Sequence, residues 1–553
     1  MMAHLKDILP MNLKAALGGL SDGELKFLDD LTSGRVANFF VTDQESDAWL
    51  FADGYHRALY GLDWGHSRTI RPELIEWVLS LSTDKFILPR HGVRIKGAKI
   101  VGKLDLSNSV VRVPLELQHC CFTEKIDASS SQLNFLSLCG SLTQQIEADA
   151  VQIAHDLDLE DIWVEGGISL QDSRLGQNLI CRRGIFRSLT YPAFNASGMI
   201  LECDIVSDQA TYSGGLELVA ATIKGAAVFR RCYFDDLVGQ YRDSDDPDRG
   251  SSQISDTEPR SFSLNLEESR IEHELIIEKQ QLNPRGRMSL RGARCGEFWS
   301  DRSSWPIADS RTMRDPYRGV LLLDGFEYSS IGTQKEGSTT DVDYYVEVLS
   351  LLPSYPFRPQ PYSQLAAAYR RMGHEDYART ILIKKEVARR KFADLKIGPW
   401  AVNWFLDFSV GYGYRLWRSL CIMACIVLAG ALVFSRAFDA GILVSTKQLL
   451  DPLGSTTPIY NLTEDQHKTR NGSDSPINRQ FSPLAYSVDL FIPFLDLSQV
   501  RFWVPDMRSN SHLTESGCCS AVLVRLYYWF HISVGWLFST LVAASLVGLV
   551  KRE

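Results

Sequence analysis

A chain of 553 residues with 45% apolar residues and a formal charge of −9 has room for several domains and is too acidic for wholesale nucleic-acid binding. Its 11 cysteines include no C-x-x-C pair, which argues against a disulfide framework and against a zinc site. Residues 1–20 lack a basic start followed by an apolar core, so no secretory signal peptide is expected.

Residues 1–90 read as helical. Ser21 and Glu24 stand three apart before an apolar run, a capping-box pattern. Pro72 opens a second run, PELIEWVL. Since a solenoid needs a cover for the open end of its core, this segment is expected to be an N-terminal cap. Its aromatics, Trp49, Phe51, Tyr55, Tyr60 and Trp64, are expected to pack rather than to cage a ligand.

From residue 91 to about 335 the chain repeats. An apolar–any–apolar unit recurs as Leu104-Asp105-Leu106, Leu115-Glu116-Leu117, Ile126-Asp127-Ala128, Leu136-Ser137-Leu138, Ile146-Glu147-Ala148, Leu157-Asp158-Leu159 and onward, in steps of 10 or 11 residues. Alternation within each unit is strand periodicity, and a fixed period marks a solenoid. Two such steps would make one coil with two principal strands. The expected fold is therefore mainly β, a right-handed parallel β-helix. Glycines 102, 176, 225 and 296 are expected to supply unusual dihedrals at corners. Cysteines 120, 121, 139, 181, 203, 232 and 295 read as small inward-facing fillers. A polar run at 242–259 interrupts the array and is expected to be an insertion.

The variable residue of each unit would face outward. One side then stacks Asp105, Asp127 and Glu147, and the other stacks Glu116, Ser137 and Asp158. Carboxylates on strands about 4.8 Å apart repel, and can hold a cation. Asp105, Asp127 and Glu147 are thus weak metal candidates, against the plainer reading of a solvated acidic face.

Residues 336–398 should form a helical connector. Tyr369, Gly373 and Ala378 are spaced as in one tetratricopeptide-type hairpin, and a basic run, KKEVARRK, begins at Lys384. Next to the aromatic segment WAVNWFL this run suits an anionic lipid surface. Residues 399–553 should be a membrane domain. Spans are expected at about 416–436 and 526–550, with 437–525 outside and both termini cytoplasmic by the positive-inside rule. Small residues recur every four positions at Cys421, Cys425 and Ala429, at Gly535 and Ser539, and at Ala544 and Gly548. They are expected to pair helices within the chain or between copies, as in a homo-oligomer. His531 is expected in an aromatic belt beside Trp529 and Trp536. Residues 484–504 carry Asp489, Pro493, Asp496 and Arg501, so an amphipathic or re-entrant element is expected there. Asp489 and Asp496 are candidates for lining a water path, alongside a packing role.

Ser409-Val410-Gly411-Tyr412-Gly413 looks like a potassium-channel filter but precedes the first span instead of lying between two. There is no dinucleotide fingerprint, P-loop or nucleophile elbow. No catalytic or cofactor-binding residue is assigned, and no cofactor is expected. The stretches HGVRIKGAKIVGKLDLSNS from His91, PYSQLAAAYRRMGHEDYAR from Pro361, GYGYRLWRSL from Gly411 and YSVDLFIPFLDL from Tyr486 resemble a group of largely uncharacterised bacterial membrane proteins. Members have pentapeptide-like or β-helical repeats before two C-terminal spans, and some carry the label "membrane-associated oxidoreductase". The resemblance implies an inner-membrane location and this architecture. The expected function is a membrane-anchored β-helix that docks a protein partner, signalling to or gating its membrane domain. The alternatives are a redox or carbohydrate-active enzyme, or a pore.

Overall fold

The computed structural model describes residues 17–42, 63–81, 88–189, 192–235, 262–278, 287–301, 321–332, 341–349, 357–393, 395–446, 480–505 and 521–547, with short pieces between them. Phe51, Tyr55, Tyr60 and the 242–259 insertion lie outside the described residues. The chain divides into two compact units, Met1–Ala393 and Asp394–Glu553.

The first unit holds a parallel β-solenoid of about eight turns. Each coil has four short strands rather than the two expected. In one circuit the chain passes Ile126–Asp127 on a first face, the start of Gln132–Ser137 on a second, its end on a third, and Leu142–Thr143 on a fourth. It then returns to Ile146–Glu147, which pairs in register with Ile126–Asp127. The first and fourth faces are nine-stranded sheets, and the second and third join through long strands into one larger sheet. The sequence showed only faces one and three because their units carry two inward apolar residues each. Faces two and four place a single inward residue on each strand, such as Ile153 or Val164; these recur at the same step of 10 or 11 residues but lack the apolar–any–apolar signature.

The eleven-residue step has a backbone cause. Three residues past each outward position of the first face the chain turns left-handed, at Asn108, Ser130, Ala150, Asp172, Ala220 and Glu268. The third face does the same at His119, Asp161, Arg183, Gln209 and Arg231. Two such corners per coil set half-coils of eleven residues. A left-handed residue other than glycine costs about 1–2 kcal/mol. Each corner N–H offsets this with a hydrogen bond to the next coil, as in Ser130 N to Asp149 O at 2.8 Å and Ala150 N to Gln171 O at 2.7 Å. Gly176, Gly225 and Gly296 are not the left-handed residues, contrary to expectation. They sit where coils touch: a Cβ on Gly176 would stand 2.9 Å from Ala154 C, and one on Gly225 2.5 Å from Cys203 O. Only Gly102 among the four has a positive φ, +119°.

Inward Leu, Ile, Val and Phe side chains fill the bore. On the fourth face Phe186, Tyr212 and Phe234 stack coil on coil, with ring centroids 5.2 Å apart at each step. Cysteines 120, 181, 232 and 295 are buried among them and Cys139 and Cys203 only partly so, whereas Cys121, expected to face inward, lies in the outward column of the fourth face with Lys99 and Leu142 and is buried under Trp49. Burial pushes the Cys120 thiol up to about 12 and Cys121 up to about 11, so both stay protonated and inert.

Both ends of the solenoid are engaged by flanking segments. Helix α1 (Asp22–Thr32) starts with the expected capping box: Glu24 N donates to Ser21 Oγ at 3.0 Å and Ser21 N to Glu24 Oε2 at 2.8 Å. The buried Glu24 carboxylate also pairs with Arg71 at 2.6 Å, just before α2 (Pro72–Ser80). Ala37–Asn38 and Thr69–Ile70 add parallel strands to the first coil. Trp49 is buried, stacks near Trp64 at 4.7 Å and donates to Gly140 O at 2.7 Å, which is packing as expected. After the last coil come α3 (Asp341–Leu349), α4 (Gln360–Arg371) and α5 (Glu375–Phe392). The α4–α5 hairpin turns at Gly373, whose φ is +85°. Helix α4 closes the open edge of the final strand, with Gln364 Nε2 donating to Tyr328 O at 2.8 Å and Arg371 Nη1 to Ser329 O at 2.8 Å.

The second unit contains α6 (Ile397–Val410), α7 (Leu416–Asp439), α8 (Pro483–Phe491) and α9 (Ala521–Leu546). Helices α7 and α9 are long and apolar enough to cross a membrane. Helix α9 starts five residues before the expected span, because an exposed Arg525 does not interrupt helical hydrogen bonding. The filter-like GYG is a helix stop: Gly411 and Tyr412 are left-handed, and Tyr412 Oη donates to Asn403 Oδ1 at 2.8 Å. Residues 484–504 form neither a span nor a long amphipathic helix. They make α8, a turn, and the strand Trp503–Pro505, which pairs antiparallel with Leu443–Ser445.

Candidate functional site

The second unit is built around one polar knot between apolar helices. Helix α8 packs on both α7 and α9. Its Ser487 is buried and donates to Val427 O of α7 at 2.9 Å. The same hydroxyl lies 3.1 Å from His531 Nε2 of α9. Phe434, Phe491 and Tyr527 ring the imidazole with centroids 5.6, 5.1 and 5.6 Å away. Glycines make the approach possible. A Cβ on Gly430 would stand 2.6 Å from His531 Cε1, and one on Gly535 2.8 Å from Phe491 C.

His531 is therefore not the aromatic-belt residue expected. It is fully buried, while Trp529 and Trp536 are 58% and 57% exposed. The helix explains this: Trp529 and Trp536 are seven apart and share a face, and His531 lies about 200° round from Trp529. Of the small-residue ridges, Gly535 and Ser539 are buried inside the unit, whereas Cys421, Cys425 and Ala429 are exposed along α7. Gly548 lies outside the described residues.

Asp489 and Asp496 are occupied by backbone rather than set along a water path. Asp489 accepts from Leu497 N at 2.7 Å, Gln499 N at 2.8 Å and Val500 N at 2.9 Å. Asp496 accepts from Ser498 N at 2.8 Å and pairs with Arg501 at 2.8 Å. The two carboxylates shape the turn after α8, and Arg501 neutralises one of them.

On the solenoid, Asp105, Asp127 and Glu147 do stack in register on the first face. The chain brings its own cations to them. Lys103 Nζ lies 3.0 Å from Asp105 and 2.8 Å from Asp127, and Lys125 Nζ lies 2.5 Å from Glu147. Asp105 also accepts from Ser107 N at 3.0 Å. The Ser107 hydrogen bonds and then the Lys103 ammonium hold its carboxyl down at about 2. Asp127, Asn195 and Asn265 repeat this cap on the amide two residues on, so these positions serve the left-handed corner that follows. Among the described residues no group of His, Cys, Asp and Glu is arranged to hold a metal.

The third face stacks Glu116, Ser137 and Asp158 as expected. Burial raises Glu116, with Asp158 adding to it, and burial raises Asp158. Beyond Asp158 the same outward column turns apolar: Ile180, Val206, Val228, Ile276 and Trp299 follow in register. Sequence reasoning missed this column, although the variable residue of the later units, as in Leu179-Ile180-Cys181 and Ala227-Val228-Phe229, is apolar.

Compared with protein-family models, with curated proteins and with solved structures, the chain matches none.

Proposed function

We propose that this protein is a membrane-anchored β-solenoid that presents its rod to a protein partner. The carrying observation is that α7 and α9 bury only 22% and 28% of their most apolar windows. A core helix of a water-soluble protein would bury most of such a surface. Helix α6 supports the same reading. Ile397, Trp400, Trp404 and Phe408 are about half exposed or more along one face, while Ser409 O accepts from Ser419 of α7 at 2.8 Å. An aromatic face beside a spanning helix suits the lipid interface.

In this reading the host membrane is a bacterial inner membrane, with both termini and the solenoid on the cytoplasmic side. The coil is right-handed, the hand that parallel crossovers take. Four strands in about 22 residues give roughly five per side, which supports the pentapeptide-like repeat. The exposed Cys421, Cys425 and Ala429 face suits a second copy. Alkaline carbonate extraction of membranes tests the anchor: the full chain is expected in the pellet, and release to the supernatant overturns the proposal. A flavin or haem absorbance band in the purified protein would overturn the scaffold role in favour of redox chemistry.

A further inference from the structure

We infer that the apolar column of the third face and the pocket at its end form a docking groove for a partner segment that carries apolar residues and an arginine or lysine. This rests on the scaffold reading and names the chemistry of its partner.

The column Ile180, Val206, Val228, Ile276 and Trp299 occupies one outward position in five successive coils. At about 4.8 Å per coil it runs roughly 19 Å along the rod. Outward positions of a solvated β-face are normally polar; the first face keeps Ser169, Asn195 and Glu217 in the corresponding coils. The column is thus a departure from the rule within one protein. Cross-coil ion pairs flank it, including Arg231–Asp208 at 2.6 Å and Arg230–Glu278 at 3.2 Å.

The column ends in a pocket of about 160 Å³ lined by Arg230, Glu274, Ile276, Glu278, Glu297 and Trp299. Glu274 and Glu297 are register partners on adjacent coils, where like charges repel. Arg230 is already engaged with Glu278. Neither Glu274 nor Glu297 has an ion pair among the described residues. The pocket therefore has two carboxylates in surplus beside an indole, a setting that attracts a guanidinium or ammonium group. Its volume is below the roughly 300–1,000 Å³ of small-molecule sites, and fits one charged side-chain end. A cation alone would leave the column unused, and an apolar segment alone would leave the carboxylates uncompensated. Only a segment with both matches the groove.

The test uses the full chain in detergent and a fluorescein-labelled peptide, Arg-Val-Ser-Val-Arg-Val-Ser-Val-Arg, followed by anisotropy. Two control peptides replace every arginine by glutamate or every valine by serine. The arginine–valine peptide is expected to bind at least about tenfold tighter than either control. The E274Q/E297Q variant should lose on the order of tenfold, and V206S/V228S should weaken binding by a similar factor, each variant still melting cooperatively. Equal binding of the arginine and glutamate peptides overturns the inference. So does unchanged affinity in E274Q/E297Q, or calcium chloride binding at these carboxylates while the peptide does not bind. Membranes from the same expression are checked by carbonate extraction before they are solubilised, so membrane insertion without peptide binding refutes this inference alone.

Discussion

Gly535→Ala should loosen the second unit by a steric contact with the α8 backbone. The Cβ it adds would stand 2.8 Å from Phe491 C and 2.9 Å from Phe491 Cα. Carbon–carbon contact begins at about 3.5 Å, so α8 must retreat by at least about 0.7 Å. The obstacle is backbone and cannot rotate away. Retreat stretches the Ser487 Oγ to His531 Nε2 hydrogen bond beyond its 3.1 Å and opens the cluster around Phe434 and Tyr486. Overpacking of this kind costs about 1–3 kcal/mol. The assay is thermal unfolding of the full chain in detergent micelles, with Gly398→Ala as control, since a Cβ there meets nothing within 4 Å. Gly430→Ala should cost less than Gly535→Ala, because its obstacles are the side chains of Ser487 and His531. If Gly535→Ala melts together with Gly398→Ala, α8 does not wedge between α7 and α9 as described.

Two further substitutions test the carboxylates. Glu116→Gln should raise the melting temperature at pH 7 by about 1–2 °C. Burial raises the Glu116 carboxyl in the folded state, so ionisation there destabilises the fold above its folded pKa. As pH falls below about 4 the group is neutral in both states and the gap should close. A gap that persists at pH 3 contradicts this cause. Asp489→Asn should cost about 1–3 kcal/mol, because one carboxylate holds three backbone amides and an amide side chain offers one acceptor atom. Unchanged melting would show that the turn after α8 does not depend on it.

The fold was readable where physics leaves a periodic mark. Leu104-Asp105-Leu106 and its repeats show strand alternation, and the left-handed corners at Asn108 and His119 fix the eleven-residue step. The four-sided coil was not read, because a strand of two residues with one inward side chain shows no alternation, although Ile100, Phe122, Ile153, Val164 and Leu175 keep the same step. Glycine was read as a corner residue: Gly140 and Gly198 do turn corners, but Ser130, Ala150 and Arg183 turn others, and Gly176 marks coil-to-coil contact. Hydropathy located α7 and α9 within a few residues. It could not show which way His531 faces, because Ser487, its partner, comes from a helix 44 residues away in sequence. Asp489 was read as a pore candidate for the same reason: its amide partners lie across a turn that composition does not reveal.

The most direct test of a membrane-anchored solenoid is the environment of Cys425, exposed near the middle of α7. A spin label there, in a variant with no other cysteine, is reconstituted as the full chain in vesicles of bacterial lipid. The account predicts protection from a water-soluble nickel chelate. Free access of the nickel chelate to the label would place α7 in water and contradict it.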